Sequence, residues 1–95
     1  MTENAAPHAT AAAAGASATK DRLAALVERA SDGAVAAAEA RAGGAGLSAL
    51  GFTSLARMRL IDAVESEYGV EIDLAAGGFA LVDDLDALTA HLTAR

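Results

Sequence analysis

The scarcity of large apolar side chains limits what this chain can fold into. Hydrophobic residues make up 54% of its 95 residues, but 28 of them are alanine, and the chain has no cysteine and therefore no disulfide. A short chain with so few large side chains can bury only one small core. We therefore expect one small domain, held together by the spacing of a limited set of leucine, isoleucine and valine residues.

The large side chains recur at intervals of three and four residues, which is the pattern of amphipathic helices. The first helix is predicted to start near Lys20, with Thr19 as its N-cap. It either ends near Asp32 or continues past Gly33 to Arg41, and we favour the continuation, because one internal glycine costs only about 1 kcal/mol.

The same spacing predicts a second helix over residues 55–68 and a last helix that begins after Asp83 or Asp84. Between them, the glycine pair at 77–78 leaves room only for a short third helix. The sequence thus predicts an all-α fold, a small four-helix bundle with three main helices and a short third one. Its expected core consists of Leu23, Leu26, Val27, Ala30, Leu60, Val64, Tyr68, Ile72, Leu85, Leu88 and Leu92.

Residues 1–18 differ in composition from the rest of the chain. They contain Pro7, Gly15 and almost no side chain larger than alanine, so they have little apolar surface to bury. We expect a disordered, alanine-rich N-terminal extension at 1–18, followed by the folded domain at 19–95. His8 in the extension is interpreted as a solvated side chain, since no second histidine lies near it.

The charge balance excludes several classes of partner. Seven Lys and Arg against thirteen Asp and Glu give a formal net charge of -6, which does not suit nucleic acid or an anionic lipid surface. The N-terminus has no cationic region, and its alanine-rich run is interrupted by polar residues and glycine, so neither a signal peptide nor a membrane span is predicted. We expect a cytoplasmic protein, since the absence of cysteine also fits a reducing compartment, and we expect it to be a monomer.

Two groups of side chains could carry metal or acid–base chemistry. The first is the acidic trio Asp83, Asp84 and Asp86, which could bind a metal. Carboxylates at the start of a helix are also explained by capping and the helix dipole, and this interpretation is favoured. The second is His91, which has no Asp, Ser or Cys at the spacing of a catalytic motif, so no nucleophilic triad is predicted.

The string at residues 47–55 places Ser54 at the first turn of the second helix. Leu47, Leu50 and Phe52 should pin the preceding loop onto the bundle, which would leave the Ser54 hydroxyl exposed and rigidly held. A phosphate ester there would meet free backbone N–H groups and the positive end of the helix dipole. The alternative is that Thr53 or Ser54 is simply the N-cap, and on physical grounds alone the cap is favoured.

The same string resembles the signature of the acyl and peptidyl carrier proteins, a leucine-rich loop followed by glycine, an apolar residue, aspartate or a substitute, serine and leucine. The matching residues are Leu47, Leu50, Gly51, Phe52, Thr53, Ser54 and Leu55. The resemblance covers roughly residues 20–94. Ala56, Arg57 and Arg59 replace the acidic residues usual in carriers of bacterial fatty acid synthesis, so the chain looks most like a free-standing carrier of polyketide or nonribosomal peptide biosynthesis, as in antibiotic biosynthesis.

The resemblance implies that Ser54 receives a covalent 4′-phosphopantetheine arm from coenzyme A, installed by a phosphopantetheinyl transferase. The arm then tethers acyl or aminoacyl intermediates as thioesters, and the chain itself is not an enzyme. Its implied partners are that transferase, a loading ligase or adenylation enzyme, and downstream synthase, condensation or tailoring enzymes. The implied partner-contact residues are Thr53, Leu55, Arg57, Met58, Ile61 and Asp62.

Two alternatives accompany the resemblance. Thr53 stands where aspartate is common in the family, which leaves open which transferase modifies Ser54. The apolar residues near Ser54 could be core residues instead of a contact surface. The competing hypothesis for the whole chain is an unmodified helical protein-interaction module.

Overall fold

The computed structural model describes residues 8–43 and 46–94, and this part of the chain is all-α. It contains α1 (His8–Ala30), α2 (Ala37–Ala42), α3 (Ser54–Tyr68), α4 (Gly78–Asp83) and α5 (Leu85–Thr93). Short 3₁₀ turns at Leu47–Leu50 and Leu74–Ala76 precede α3 and α4. No strand occurs in the described ranges. The prediction of a small all-α bundle with a short helix between the second and last main helices is confirmed.

The first helix ends at Ala30, so the predicted continuation to Arg41 is wrong. The N–H of Gly33 donates to the carbonyl of Glu28 at 2.8 Å, and the N–H of Asp32 donates to that of Arg29 at 3.1 Å. Together with the positive φ values of Asp32 and Gly33, 52° and 84°, these bonds form a Schellman C-terminal motif. Asp32 is the left-handed C′ residue of this motif, and Gly33 follows it with a positive φ that glycine adopts without a steric cost, so the helix ends before Gly33 instead of running through it.

We expect Gly33→Ala to destabilise the fold by about 1 kcal/mol, because a Cβ is strained at positive φ. No neighbouring atom lies within 4 Å of the position of that Cβ, so the cost is purely conformational. Urea denaturation followed by circular dichroism measures the loss. Gly33→Asn is the control, since asparagine tolerates positive φ and should lose less. An alanine variant as stable as the wild type would contradict the left-handed backbone at this position.

The beginning of α1 also differs from the prediction. The helix starts at His8, so residues 8–18 are helical where a disordered extension is expected, and Thr19 lies inside the helix instead of capping it. Alanine has the highest helix propensity of all residues, and its dominance in this segment supports the helix. Residues 1–7 of the predicted extension lie outside the described residues.

The core lies between α1 and the helices α2, α3 and α5 that pack against it. All predicted core residues are buried except Tyr68, which is half-buried at the end of α3. The predicted list omitted several buried residues, most of which lie in turns, in the short helices or at positions filled by alanine, while Ile61 lies within α3. These are Ala24, Val35, Ala40, Leu47, Phe52, Ala56, Ile61 and Val82.

An ion pair on the surface joins α1 to α3. Arg22 Nε and Nη2 donate to the two carboxylate oxygens of Glu67, each at 2.7 Å. The hydrogen bonds and positive charge of Arg22 hold the pKa of Glu67 below its usual range. A carboxyl group whose pKa falls on folding stabilises the native state above its ordinary pKa, and this contribution disappears as the pH falls through the lowered pKa.

We therefore expect Arg22→Ala to lower the urea midpoint at neutral pH and to leave it nearly unchanged in acid, where Glu67 is protonated. The effect should be modest, because both side chains are partly exposed to solvent. Urea titrations of the wild type and the variant across the acid range measure it. A difference that persists undiminished in acid would show that Arg22 stabilises the fold by packing instead.

The chain between α3 and α5 forms more helix than the glycine pair suggests. The 3₁₀ turn Leu74–Ala76 leads into α4, where Gly78 is buried. A Cβ on Gly78 would lie 2.7 Å from the carbonyl oxygen of Asp73, so only glycine fits where these two backbones meet. The glycine is thus required by close packing and does not prevent the short helix.

Candidate functional site

A tightly packed loop leads into α3. Leu47 and Phe52 are buried and Leu50 packs partly against the core, as the sequence predicts. The N–H of Gly51 donates to the Ser48 carbonyl and that of Phe52 to the Leu47 carbonyl, both at 3.1 Å. Buried side chains and backbone bonds therefore hold the residues that immediately precede α3.

Thr53 is the N-cap of α3, and Ser54 is its first helical residue. The Thr53 Oγ1 accepts a hydrogen bond from the Ala56 N–H at 3.1 Å, and the Thr53 carbonyl accepts one from the Arg57 N–H at 2.9 Å. Ser54 is exposed, and its hydroxyl makes no hydrogen bond to any described residue. The alternatives left open for Thr53 and Ser54 are thereby separated, because Thr53 takes the capping role and leaves the Ser54 hydroxyl accessible.

The surroundings of Ser54 suit an anionic substituent. The cap occupies the Ala56 N–H, while the N–H groups of Ser54 and Leu55 at the start of the helix have no intrahelical acceptor. The first turn of α3 contains no acidic side chain, so no negative charge in that turn offsets the positive end of the helix dipole or repels an anionic group there. A phosphate ester on the Ser54 oxygen fits this position both sterically and electrostatically.

The first turns of α3 expose apolar side chains next to Ser54. Leu55 is 61% exposed and Met58 is 49% exposed, and Asp62 is also on the surface. Ile61 is 5% exposed and belongs to the core, so its predicted place on a contact surface is wrong. It faces the core because the helical period that places Leu60 and Val64 inside also turns Ile61 inward.

Arg57 also differs from its predicted place on the partner surface. Its side chain is only 16% exposed, its Nη2 donates to Ser48 Oγ at 3.0 Å, and its guanidinium lies 5.6 Å from the centre of the Phe79 ring. The sequence gives no sign that Ser48, Phe79 and Asp83 lie near Arg57. No local pattern could have shown the link, since these residues come from three separate elements.

Each carboxylate of the acidic trio has its own partner. Asp84 caps α5 by accepting from the Ala87 N–H, Asp86 pairs with Lys20 at 2.6 Å, and Asp83 accepts from the N–H and hydroxyl of Ser48. No set of three or more His, Cys, Asp or Glu side chains within the described ranges could hold a metal ion.

His91 is an exposed residue of α5. Of the described helices, none is both long and apolar enough to cross a membrane.

Comparison with known proteins identifies a family to which this chain is similar. A family model described as phosphopantetheine attachment site matches residues 34–92, which include α2, the loop, α3 with Ser54, α4 and all but the last residue of α5. Searches of curated proteins and of solved structures gave no match. Because the family match covers more than half of the chain, this protein belongs to the phosphopantetheine attachment family, whose domains carry covalently bound 4′-phosphopantetheine.

Proposed function

We propose that Ser54 is the attachment residue and that the chain is a carrier of acyl or aminoacyl intermediates in a polyketide or nonribosomal peptide type of pathway. The observation that carries the proposal is the exposed Ser54 hydroxyl, free of protein hydrogen bonds among the described residues, at a helix start inside the matched range. The acidic net charge and the absence of cysteine accord with a carrier that works in the cytoplasm.

The attachment reaction needs little from this chain beyond presentation of Ser54. The Ser54 oxygen forms a new bond to the phosphorus that bears the pantetheine half of coenzyme A. Its proton passes to a base of the transferase, the pyrophosphate P–O bond breaks, and the nucleotide half leaves. The free N–H groups of Ser54 and Leu55 and the dipole of α3 then favour the phosphodiester that remains on the protein.

The chemistry after attachment belongs to partner enzymes. The bound arm supplies a terminal thiol that holds a carboxylic acid as a thioester, which this cysteine-free chain could not do with its own side chains. The partners proposed are the phosphopantetheinyl transferase, a loading ligase or adenylation enzyme, and synthase, condensation or tailoring enzymes. The side chains of Thr53, Leu55, Met58 and Asp62 are exposed at the start of α3 and along its first turns, and they provide a surface for these partners. An adaptable methionine suits contact with several different partners.

Incubation with coenzyme A and a broad-specificity phosphopantetheinyl transferase tests the proposal. Intact-protein mass spectrometry should show the addition of one arm, and peptide mapping should place it on Ser54. Several transferases should be tried, because Thr53 brings no negative charge to the site. An unchanged mass with all of them would favour the alternative, an unmodified interaction module. That module would also retain its biological function when Ser54 is replaced.

A further inference from the structure

A group of side chains behind the Ser54 loop connects three elements of the fold. Arg57 in α3 donates through Nη2 to Ser48 Oγ at 3.0 Å. The N–H and Oγ of Ser48 donate to Asp83 Oδ1 in α4, at 2.8 and 2.5 Å. The Arg57 guanidinium also lies over the ring of Phe79 in α4. We call Arg57, Ser48, Asp83 and Phe79 the arginine node.

The node is partly shielded from water, which strengthens its ionic contacts. Arg57 and Asp83 are 16% and 28% exposed, and the closest distance between their charged atoms is 3.6 Å. The separation of the Arg57 guanidinium from the Phe79 ring centre is within the range of a cation–π contact. Charges in such a site are screened less than those on an open surface. The node therefore holds the turn Leu47–Leu50, α3 and α4 in one arrangement.

The position of the node relates it directly to Ser54. Arg57 follows Ser54 by three residues, so the two are neighbours on the surface of α3. Helical side chains lean toward the N-terminus of their helix, which places the Arg57 side chain beside the first turn. Ser48 belongs to the turn that leads into Thr53 and Ser54. Loss of the node would allow the loop and α4 to move relative to α3. This movement would occur beside Ser54, where a transferase must bind.

We infer that Arg57 is a positioning residue for modification of Ser54, acting through Ser48 and Asp83 and not through contact with the transferase. This inference rests on the proposed function of Ser54. The apparent affinity of a protein falls in proportion to the population of its binding-competent arrangement. Once the transferase has bound, the loop is in that arrangement in every variant. Breaking the node should thus raise KM for the carrier much more than it lowers kcat.

Steady-state modification kinetics with coenzyme A and one transferase test this inference. If the competent population falls to about a tenth, Arg57→Ala and Asp83→Ala should each raise KM about tenfold. Combining the two substitutions should raise KM no further than either alone, since both break the same unit. A rise in KM for Arg57→Ala with a normal KM for Asp83→Ala would overturn the inference, because it would mean that the transferase contacts Arg57 directly.

Arg59→Ala is the matched control, because it removes the same charge from the same helix. Among the described residues, Arg59 pairs with the exposed Asp32 and takes no part in the node, so KM should remain normal. An equal rise in KM for Arg59→Ala would indicate recognition of overall charge and would also overturn the inference. Thermal unfolding checks that each variant is folded. Arg57→Lys and Asp83→Asn provide milder changes, with a smaller rise in KM expected for both.

Hydrogen exchange gives a readout that does not depend on the transferase. The Ser48 amide, which donates to Asp83, should exchange faster in Arg57→Ala and at its normal rate in Arg59→Ala. Unchanged exchange in Arg57→Ala would refute the node as the constraint on the loop. Failure of the wild type to accept an arm would instead refute the proposed function. Wild-type KM in the Arg57 and Asp83 variants would refute only the positioning role.

Discussion

Replacement of Ser54 by alanine is expected to abolish arm addition completely, while leaving the protein folded. The substitution removes the oxygen that would form the bond to phosphorus. No other residue in the first turn of α3 carries a hydroxyl group that could replace it. Stability should change little, because Thr53 and not Ser54 provides the capping oxygen for the Ala56 N–H. Intact-protein mass spectrometry after prolonged incubation with coenzyme A and transferase measures the outcome.

Ser66→Ala is the matched control for this experiment. Ser66 is an exposed serine of the same helix, but it lies far from the helix start, so its variant should gain one arm like the wild type. An arm that still appears on Ser54→Ala would exclude Ser54 as the attachment residue. Loss of the arm together with loss of helical circular dichroism would instead point to unfolding, which the Thr53 cap should prevent.

The largest loss of stability is expected from Leu60→Ala, which should cost about 2–5 kcal/mol. Leu60 is 0% exposed and lies in α3, which packs against α1. Removing most of its side chain loses buried apolar surface and leaves a cavity that tightly packed neighbours cannot fully close. Since domains of this kind unfold at a total cost of about 5–15 kcal/mol, the loss would be a large fraction of the whole. Urea denaturation measures it.

Leu55→Ala makes the same chemical change on the same helix and serves as the control. Leu55 is largely exposed, so its replacement should alter the unfolding free energy by no more than about 0.5 kcal/mol. Equal losses for the two variants would contradict the burial pattern of α3. The comparison also separates the two roles of its leucines, one set inside the core and the other available to partners.

The fold class could be predicted because helical spacing is a local property of a sequence. The positions of α3 and α5 follow from apolar residues three and four apart and from the capping residues Thr53 and Asp84. The boundary of α1 could not be predicted in the same way. An internal glycine costs a helix only about 1 kcal/mol relative to alanine, so propensity did not decide whether the helix stops before Gly33 or continues through it. Burial of Val35 after the Schellman turn favours the break.

The candidate site divides in a similar way. The loop with its buried Leu47 and Phe52, and the serine at the start of α3, could be read from one short string of residues. That string did not reveal which of two adjacent hydroxyls forms the cap. The apolar spacing of α3 also did not separate the buried Ile61 from the exposed Leu55 and Met58, because large apolar side chains lie on both the buried and the exposed face of this helix.

The sequence by itself determined that this chain forms helices, that one of them begins next to Ser54, and that the loop before it is pinned by apolar residues. These features depend on interactions among residues that are close along the chain. The tertiary structure alone decided that Arg57 turns inward to meet Ser48 and Asp83. Ser48 and Asp83 are separated by 35 positions, and such residues meet only when packing of the core has brought their helices together.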